Sequence, residues 1–233
     1  STFLQRAYDQ IINDLCINNS NALILVYRAS IYGNKDMTHL GFNDITMLSN
    51  MPNLMYLAPT TVEELESSIR YGVEHHNHPI AIRIPVGSPI YETSQSNTTG
   101  CPITSCNITQ SGNTIAIIGV GNFYHKAVEL SHAIHDAIHI SPTLVKPLCI
   151  SSLDTDTLNE LTKNHNIVIT LEDGELEGGY GQKIASYYGK TSMNVLNYGI
   201  SKQFYGRYNP EDVLQQNHLD FEHILDDIRN VQH

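Results

Sequence analysis

The chain has few basic residues. Its 233 residues include 13 Lys and Arg against 24 Asp and Glu, which gives a formal net charge of -11 at pH 7. Nucleic acids and anionic membranes attract proteins through clustered Lys and Arg, and no such cluster occurs along the sequence. The composition therefore argues against nucleic acid or a membrane surface as the main partner.

Long hydrophobic runs are also absent. The longest apolar stretches, at residues 22–26 and 115–120, have the length of a β-strand, whereas a helix that spans a bilayer needs about 20 apolar residues. Hydrophobic residues nevertheless make up 41% of the chain, which is typical of a globular protein. The length allows one large domain or two ordinary ones.

Paired cysteine spacing is a third absence. The four cysteines, Cys16, Cys101, Cys106 and Cys149, show neither CxxC spacing nor the spacing of a disulfide framework. A chain of this kind is more typical of a reducing compartment. We therefore predict free thiols and a cytoplasmic location.

Helix-like and strand-like segments alternate in the first part of the chain, and this order predicts a parallel sheet covered by helices. The predicted strands span residues 22–27, 54–58 and 80–84, and the predicted helices span 3–15, 42–51 and 61–74. Ser, Thr, Asn and Gly then dominate residues 91–113, which predicts a linker and an edge strand.

A second alternating set follows this polar region. Strands are predicted at residues 114–119, 141–148, 167–172 and 193–198, and helices at 124–139, 155–164, 180–188 and 220–230. The predicted fold class is therefore α/β, with two domains that contain mostly parallel sheets flanked by helices. We place the domains at residues 1–95 and 114–233, with the linker and edge strand at 96–113.

Several ordered segments resemble one enzyme family. They are Ser1–Gln10, Asp36–Gly41, Asn53–Thr60 and Ala81–Gly87 in the first domain, and Leu144–Leu148, Ile169–Asp173 and Gly178–Gly181 in the second. Together they resemble the 1-deoxy-D-xylulose-5-phosphate synthases, which are transketolase-like enzymes that depend on thiamine diphosphate. The resemblance covers nearly the whole chain and implies a transketolase-type fold.

The resemblance implies that the chain starts inside the pyrimidine-binding domain, so that the first domain is incomplete. No Met opens the sequence, and Phe3 already lies in the first predicted helix. We therefore expect a fragment of a longer enzyme. The family's activating glutamate and its Mg²⁺ and diphosphate site would lie upstream. Neither thiamine diphosphate nor Mg²⁺ is then expected to bind this fragment, which should be inactive alone.

The resemblance also assigns site residues. Phe3 and Arg6 match cofactor-binding positions, with Phe3 stacked on the pyrimidine. Arg28 matches an arginine that binds the phosphate of glyceraldehyde 3-phosphate. His39 matches a histidine that contacts substrate, so it is both the predicted catalytic residue and a predicted substrate-binding residue. Residue type alone leaves other meanings open: a core Phe, a surface ion pair for Arg28, and a structural or solvated loop His.

Five positions depart from the family pattern, and Tyr27, Lys35 and Val86 are three of them. The family usually has Asp where this chain has Tyr27 and Lys35, and a second phosphate-binding Arg where it has Val86. Loss of that Arg removes a charge-assisted contact with phosphate, and Lys35 reverses a charge beside the substrate. Recognition of the acceptor substrate is therefore the part of the family pattern that this chain matches least.

The implied reaction condenses pyruvate with glyceraldehyde 3-phosphate with loss of CO2, for isoprenoid, thiamine and pyridoxal precursors, in a homodimer. Two alternatives remain open. One is a non-catalytic, dimerising remnant of such an enzyme. The other is a transketolase-like enzyme that uses a different aldehyde acceptor.

Three weaker motifs admit two interpretations each. His132, His135 and His139 could bind a metal, although a solvated helix face is the commoner meaning. Residues 118–121 resemble a dinucleotide fingerprint, but Tyr124 occupies the third glycine position. The acidic residues of 172–177 could collect Mg²⁺, or could form a solvated turn with Glu172 at a domain contact.

Overall fold

The computed structural model describes residues 1–31, 36–74, 77–88, 90–91 and 102–232. Its first sheet contains three parallel strands, β1 (Leu23–Val26), β2 (Met55–Leu57) and β3 (Ile80–Arg83), in the order β1-β3-β2. The central strand β3 is buried along its whole length. Its apolar residues suit that position, and the charged Arg83 at its end requires a buried partner.

The helices of the first part are less regular than their sequence pattern. The predicted first helix is helical, but it consists of a 3-10 segment (Thr2–Ala7), one α-turn, α1 (Tyr8–Gln10), and a π-helical segment (Ile11–Cys16). A 3-10 turn (Met37–His39) precedes α2 (Asp44–Leu48), which is shorter than predicted, and α3 spans Val62–Glu74.

The second sheet has five strands in the order β4-β6-β5-β7-β8. They are β4 (Cys106–Gln110), β5 (Thr114–Gly119), β6 (Thr143–Pro147), β7 (His165–Glu175) and β8 (Asn194–Ile200). The edge strand β4 runs antiparallel to β6, and the other pairs are parallel. The helices are α4 (Phe123–Ile138), α5 (Thr155–Leu161), α6 (Tyr180–Tyr188), α7 (Pro210–Gln216) and α8 (Phe221–Gln232).

These two parallel-rich sheets with flanking helices confirm the predicted α/β class. Helix α7 is the element that the sequence analysis missed, although its start carries an ordinary signal: Asn209 accepts a hydrogen bond from the Glu211 N–H, and Pro210 opens the helix. The domain bounds stay a prediction, because residues 96–101 of the predicted linker lie outside the described residues.

The two sheets share one hydrophobic core. Ile45 and Tyr56 of the first domain belong to the same buried cluster as Val168 and Tyr180 of the second. Backbone hydrogen bonds also join the domains, since the Ile150 N–H donates to the Tyr56 carbonyl at 2.8 Å. Residues from both domains can therefore form one site. None of the helices in the described ranges combines the length and the apolar character that a membrane span requires.

Candidate active site and the buried network beside it

Gly41 brings two loops of the first domain together. The Ser30 N–H donates to the Gly41 carbonyl at 2.8 Å, which joins the loop after β1 to the loop before α2. A Cβ atom on Gly41 would clash with the Arg28 carbonyl and would lie 2.8 Å from the Ser30 carbonyl. Only glycine permits this approach, so the Arg28 and His39 segments lie side by side.

Three of the four predicted site residues form a small cluster. The rings of Phe3 and His39 meet edge to face, with centroids 5.3 Å apart. The guanidinium carbon of Arg6 lies 5.7 Å from the centre of the Phe3 ring. Phe3 is 60% exposed, so the alternative of a core phenylalanine is wrong. An exposed ring with a cation and an imidazole beside it can stack on a flat heteroaromatic group.

The His39 ring is oriented by its neighbour in the chain. Nδ1 of His39 forms a 2.8 Å hydrogen bond with the Thr38 hydroxyl. Among the described residues Nε2 makes no hydrogen bond. When Thr38 donates this bond, Nε2 carries the imidazole proton and can donate it to a ligand oxygen.

Phe3 and Arg6 of this cluster line a cleft of about 690 Å³ between the domains. The first domain contributes Phe3, Arg6 and Thr38 to its walls. The second domain contributes residues from the end of β7 and from the loop after β8, namely Glu175, Lys202, Gln203 and Phe204. Sequence analysis did not identify Lys202, Gln203 or Phe204, because these residues carry no motif.

His39 does not line this cleft, and neither does the fourth predicted residue, Arg28. Its side chain is exposed, and its backbone has a left-handed conformation with φ of 57°. Val86 lines a different cavity, of about 430 Å³, and its N–H donates to Asn122 Oδ1 at 3.0 Å. Tyr27 is exposed, and Lys35 lies outside the described residues.

The described lining of the cleft suits the aminopyrimidine end of thiamine diphosphate better than the diphosphate end with its Mg²⁺. The exposed Phe3 face, with Met37 and Leu40 nearby, suits an aminopyrimidine ring. For the described residues, no group of three or more His, Cys, Asp or Glu side chains is arranged to hold a metal ion. The candidate metal sites at His132, His135 and His139 and at the acidic residues of 172–177 are therefore not supported.

A buried network of charges lies between the two domains. Nε of Arg83 donates to Asp44 at 2.7 Å, and Nη1 donates to Asp173. Arg83 is 2% exposed and Asp173 0% exposed. Tyr56 donates to Asp44, and the Asn122 amide donates to Asp173 at 3.0 Å. Every charge in this network has a partner, as burial requires.

The strand ends explain this network. Arg83 ends β3, Asp173 lies near the end of β7, and Asp44 begins α2. Burial opposes the charge on the guanidinium, but Asp173 and Asp44 raise the pKa of Arg83 well above its usual value. The network therefore holds a permanent cation between two carboxylates and links the domains. In the sequence, the signal for this pairing is Arg83, a charged residue in an otherwise apolar strand segment.

Glu172 lies beside this network and contacts helix α6. Its carboxylate accepts hydrogen bonds from the N–H groups of Tyr180 and Gly181, both at 2.9 Å. Burial raises the pKa of Glu172 to about 7, although both N–H groups lower it. The interpretation of this acidic segment as a solvated turn holds for Glu177, which is exposed in the turn before Gly178, but not for Glu172 and Asp173, which are fully buried in β7. The domain contact suggested for Glu172 is made instead by its neighbour Asp173, which bonds to Arg83 of the first domain.

Known proteins are similar to the chain over nearly all of its length. The 1-deoxy-D-xylulose-5-phosphate synthase of Clostridium tetani (strain Massachusetts / E88) is 32% identical over 238 residues, which cover 99% of this chain and 37% of that protein. The Alkaliphilus oremlandii (strain OhILAs) protein of the same name is 33% identical over 232 residues, covering 98% and 37%. The chain thus spans about 37% of the length of these relatives.

A solved structure described as "Split gene transketolase, inactive beta4 tetramer" has the same fold. It is similar with a TM-score of 0.83 and 20% identity, over 99% of this chain and 73% of that chain. Two domain families also match in order. Residues 1–88 match the transketolase pyrimidine binding domain, and residues 105–224 match the transketolase C-terminal domain. With both of its parts matched in this way, the chain belongs to the transketolase family.

Proposed function

We propose that the protein containing this chain is a thiamine-diphosphate-dependent transferase that condenses pyruvate with glyceraldehyde 3-phosphate with loss of CO2. The observation that carries the proposal is the cluster of Phe3, Arg6 and His39, of which Phe3 and Arg6 line the interdomain cleft. Supporting it, the 1-deoxy-D-xylulose-5-phosphate synthases named above match this chain along almost its entire length.

Phe3 and Arg6 hold and orient the cofactor's pyrimidine end in this proposal. The exposed phenyl face offers stacking without competing for the polar edge of the heteroaromatic ring, a contact that contributes about 1 kcal/mol. Thiamine diphosphate, when bound, supplies a thiazolium carbon that attacks the 2-oxo acid. Mg²⁺ and the diphosphate are assigned to other parts of the whole protein, which we propose to be a cytoplasmic homodimer.

His39 and Arg28 act on the substrates in this proposal. His39, with its ring held by Thr38, donates a hydrogen bond from Nε2 to an oxygen where negative charge develops. Arg28 remains a proposed phosphate ligand, because its long exposed side chain projects from a loop held against the His39 loop.

A second candidate is favoured by the split-gene structure. That structure is described as an inactive tetramer of beta chains, and it covers 99% of this chain. The chain described here would then be a separate subunit that becomes active only with a second polypeptide. The non-catalytic remnant remains a third possibility for such a chain.

The test is turnover by the full-length protein and by residues 1–233 alone. Each is supplied with thiamine diphosphate, Mg²⁺ and pyruvate, with and without glyceraldehyde 3-phosphate, and CO2 and the phosphorylated product are measured. We expect activity in the full-length protein and none in residues 1–233 alone. A full-length protein that releases no CO2 from pyruvate would overturn the proposed reaction. Activity restored to residues 1–233 by a second polypeptide would favour the split-subunit candidate.

A further inference from the structure

The loop after β8 reaches from the second domain to the candidate active site. Residues 201–209, here called the β8–α7 loop, place Lys202, Gln203 and Phe204 on the cleft wall opposite Phe3 and Arg6. Nothing in the proposed function assigns a role to this loop. Its position makes it part of the surface that a bound substrate would meet.

Two buried aromatic residues fasten this loop to the first domain. The rings of Tyr205 and Tyr208 contact the ring of Phe42, with centroids 5.6 Å and 5.9 Å away. All three side chains are buried, and Phe42 directly follows Gly41 of the His39 loop. The β8–α7 loop and the His39 loop are therefore packed against the same side chain.

An ion pair adds a second link between the two loops. Nε of Arg207 lies 3.1 Å from Oδ1 of Asp36, which immediately precedes the turn that contains His39. Both side chains are largely exposed, so this pair contributes little stability. The packing on Phe42 is the main constraint, and it holds the β8–α7 loop in place before any ligand arrives.

Phe204 is exposed although its neighbour Tyr205 is buried. It is 83% exposed, the largest exposure of any large hydrophobic side chain in the described ranges. Phe3 and Met37, which are also exposed, line the same cleft. Exposed apolar side chains grouped around one concave surface are typical of a ligand site. Because the packing on Phe42 holds the backbone of the β8–α7 loop in place, less conformational entropy is lost when Phe204 binds a ligand.

Lys202 places a cation on this wall of the cleft, beside the carboxylate of Glu175. Arg6 and Lys202 are the cations among the described cleft residues. Nζ of Lys202 lies 3.4 Å from Glu177, and the two side chains are 66% and 62% exposed. Such exposed pairs contribute only about 0–1 kcal/mol, so Lys202 can exchange Glu177 for a ligand anion at little cost. Val86, at the position of the family's second phosphate-binding Arg, is apolar and faces another cavity.

We propose that the β8–α7 loop binds the acceptor substrate, with Lys202 contacting its phosphate and Phe204 covering its carbon chain. This inference rests on the proposed function and names the specificity-determining side of the same site. It assigns to Lys202 of the second domain a phosphate contact that the apolar Val86 does not make. The ligand class is a short phosphorylated aldehyde, since one cation and one phenyl ring suit a single phosphate on a small carbon skeleton.

The test compares Lys202→Met with Lys163→Met in the full-length protein. Lys163 is a matched control, because it forms an exposed ion pair with Glu160 on the helix α5 side of the second domain. For Lys202→Met we expect a roughly tenfold rise in KM for glyceraldehyde 3-phosphate. The KM for unphosphorylated glyceraldehyde and the release of CO2 from pyruvate should not change. Lys202→Arg should recover most of the loss, and Lys163→Met should behave as the wild type.

Two results would overturn the inference. One is an unchanged KM for the phosphorylated acceptor in Lys202→Met. The other is an equal loss with both acceptors, which would indicate a structural role. Binding of glycerol 3-phosphate, measured by calorimetry, separates this inference from the reaction itself. Weaker binding to Lys202→Met supports the phosphate contact even if the wild type releases no CO2, and equal binding in that case contradicts it.

Discussion

The interdomain cleft and the buried network use similar residue types in opposite ways. In the cleft, Phe3 and Phe204 are 60% and 83% exposed, and the charged side chains have weak, exposed partners. In the network, Arg83 is 2% exposed and bonded to two buried carboxylates. Side chains whose hydrogen bonds and charges are already paired with one another are not available to a ligand. The buried, fully paired charges of the network therefore join the two domains, and the exposed, weakly paired side chains of the cleft form the candidate site.

The comparison predicts that the network, unlike the cleft, is essential to stability. Replacing Arg83 with Met leaves Asp44 and Asp173 buried without their cation, so we expect the free energy of unfolding to fall by about 3–5 kcal/mol. Denaturant unfolding followed by circular dichroism measures this change. The matched control is Arg229→Met, since Arg229 pairs with Asp226 at 2.7 Å on the surface. That variant should lose about 1 kcal/mol or less. Equal losses of unfolding free energy in Arg83→Met and Arg229→Met would contradict the predicted difference between the buried and the exposed ion pairs.

Glu172 predicts a pH dependence of stability. Its pKa is about 7 in the folded protein, against a usual value of 4.5, because burial disfavours the carboxylate. Between these values the folded state holds a proton that the unfolded state has released. The free energy of unfolding must therefore fall as pH rises through this window. The total contribution is on the order of 3 kcal/mol.

Glu172→Gln checks this prediction, because an amide does not titrate. The stability advantage of the wild type over Glu172→Gln should shrink between pH 5 and pH 8, by an amount on the order of 3 kcal/mol. Unfolding curves at several pH values provide the measurement. Glu160→Gln, at an exposed position, should show no such trend. Parallel pH curves for the wild type and Glu172→Gln would rule out a shifted carboxyl at this position.

The sequence predicted the architecture well because alternating helix and strand patterns are local signals. Departures occurred where the signal was weak, as in the irregular first helix and the short α7. The buried network could not be predicted, because Arg83 lies 39 residues from Asp44 and 90 from Asp173. A charged residue in a buried strand indicates that a partner exists, but it does not say which residue it is.

The candidate site was predictable only in part. The family resemblance identified Phe3, Arg6 and His39, which the structure brings together. It did not identify the β8–α7 loop, because Lys202 and Phe204 belong to no recognised motif. The position of Lys202 and Phe204 depends on the packing of Tyr205 against Phe42. These two aromatic residues are more than 150 positions apart in the chain. Arg28 was placed beside this site by its loop but not within the cleft.

The most direct test of the account is turnover and stability measured together for His39→Gln in the full-length protein. If the exposed cluster of Phe3, Arg6 and His39 is the functional site, the rate of pyruvate and glyceraldehyde 3-phosphate condensation should fall by roughly a hundredfold. The free energy of unfolding should stay within about 0.5 kcal/mol of the wild type. His132→Gln, at an exposed position on α4, should change neither quantity. Wild-type turnover in His39→Gln would contradict the account.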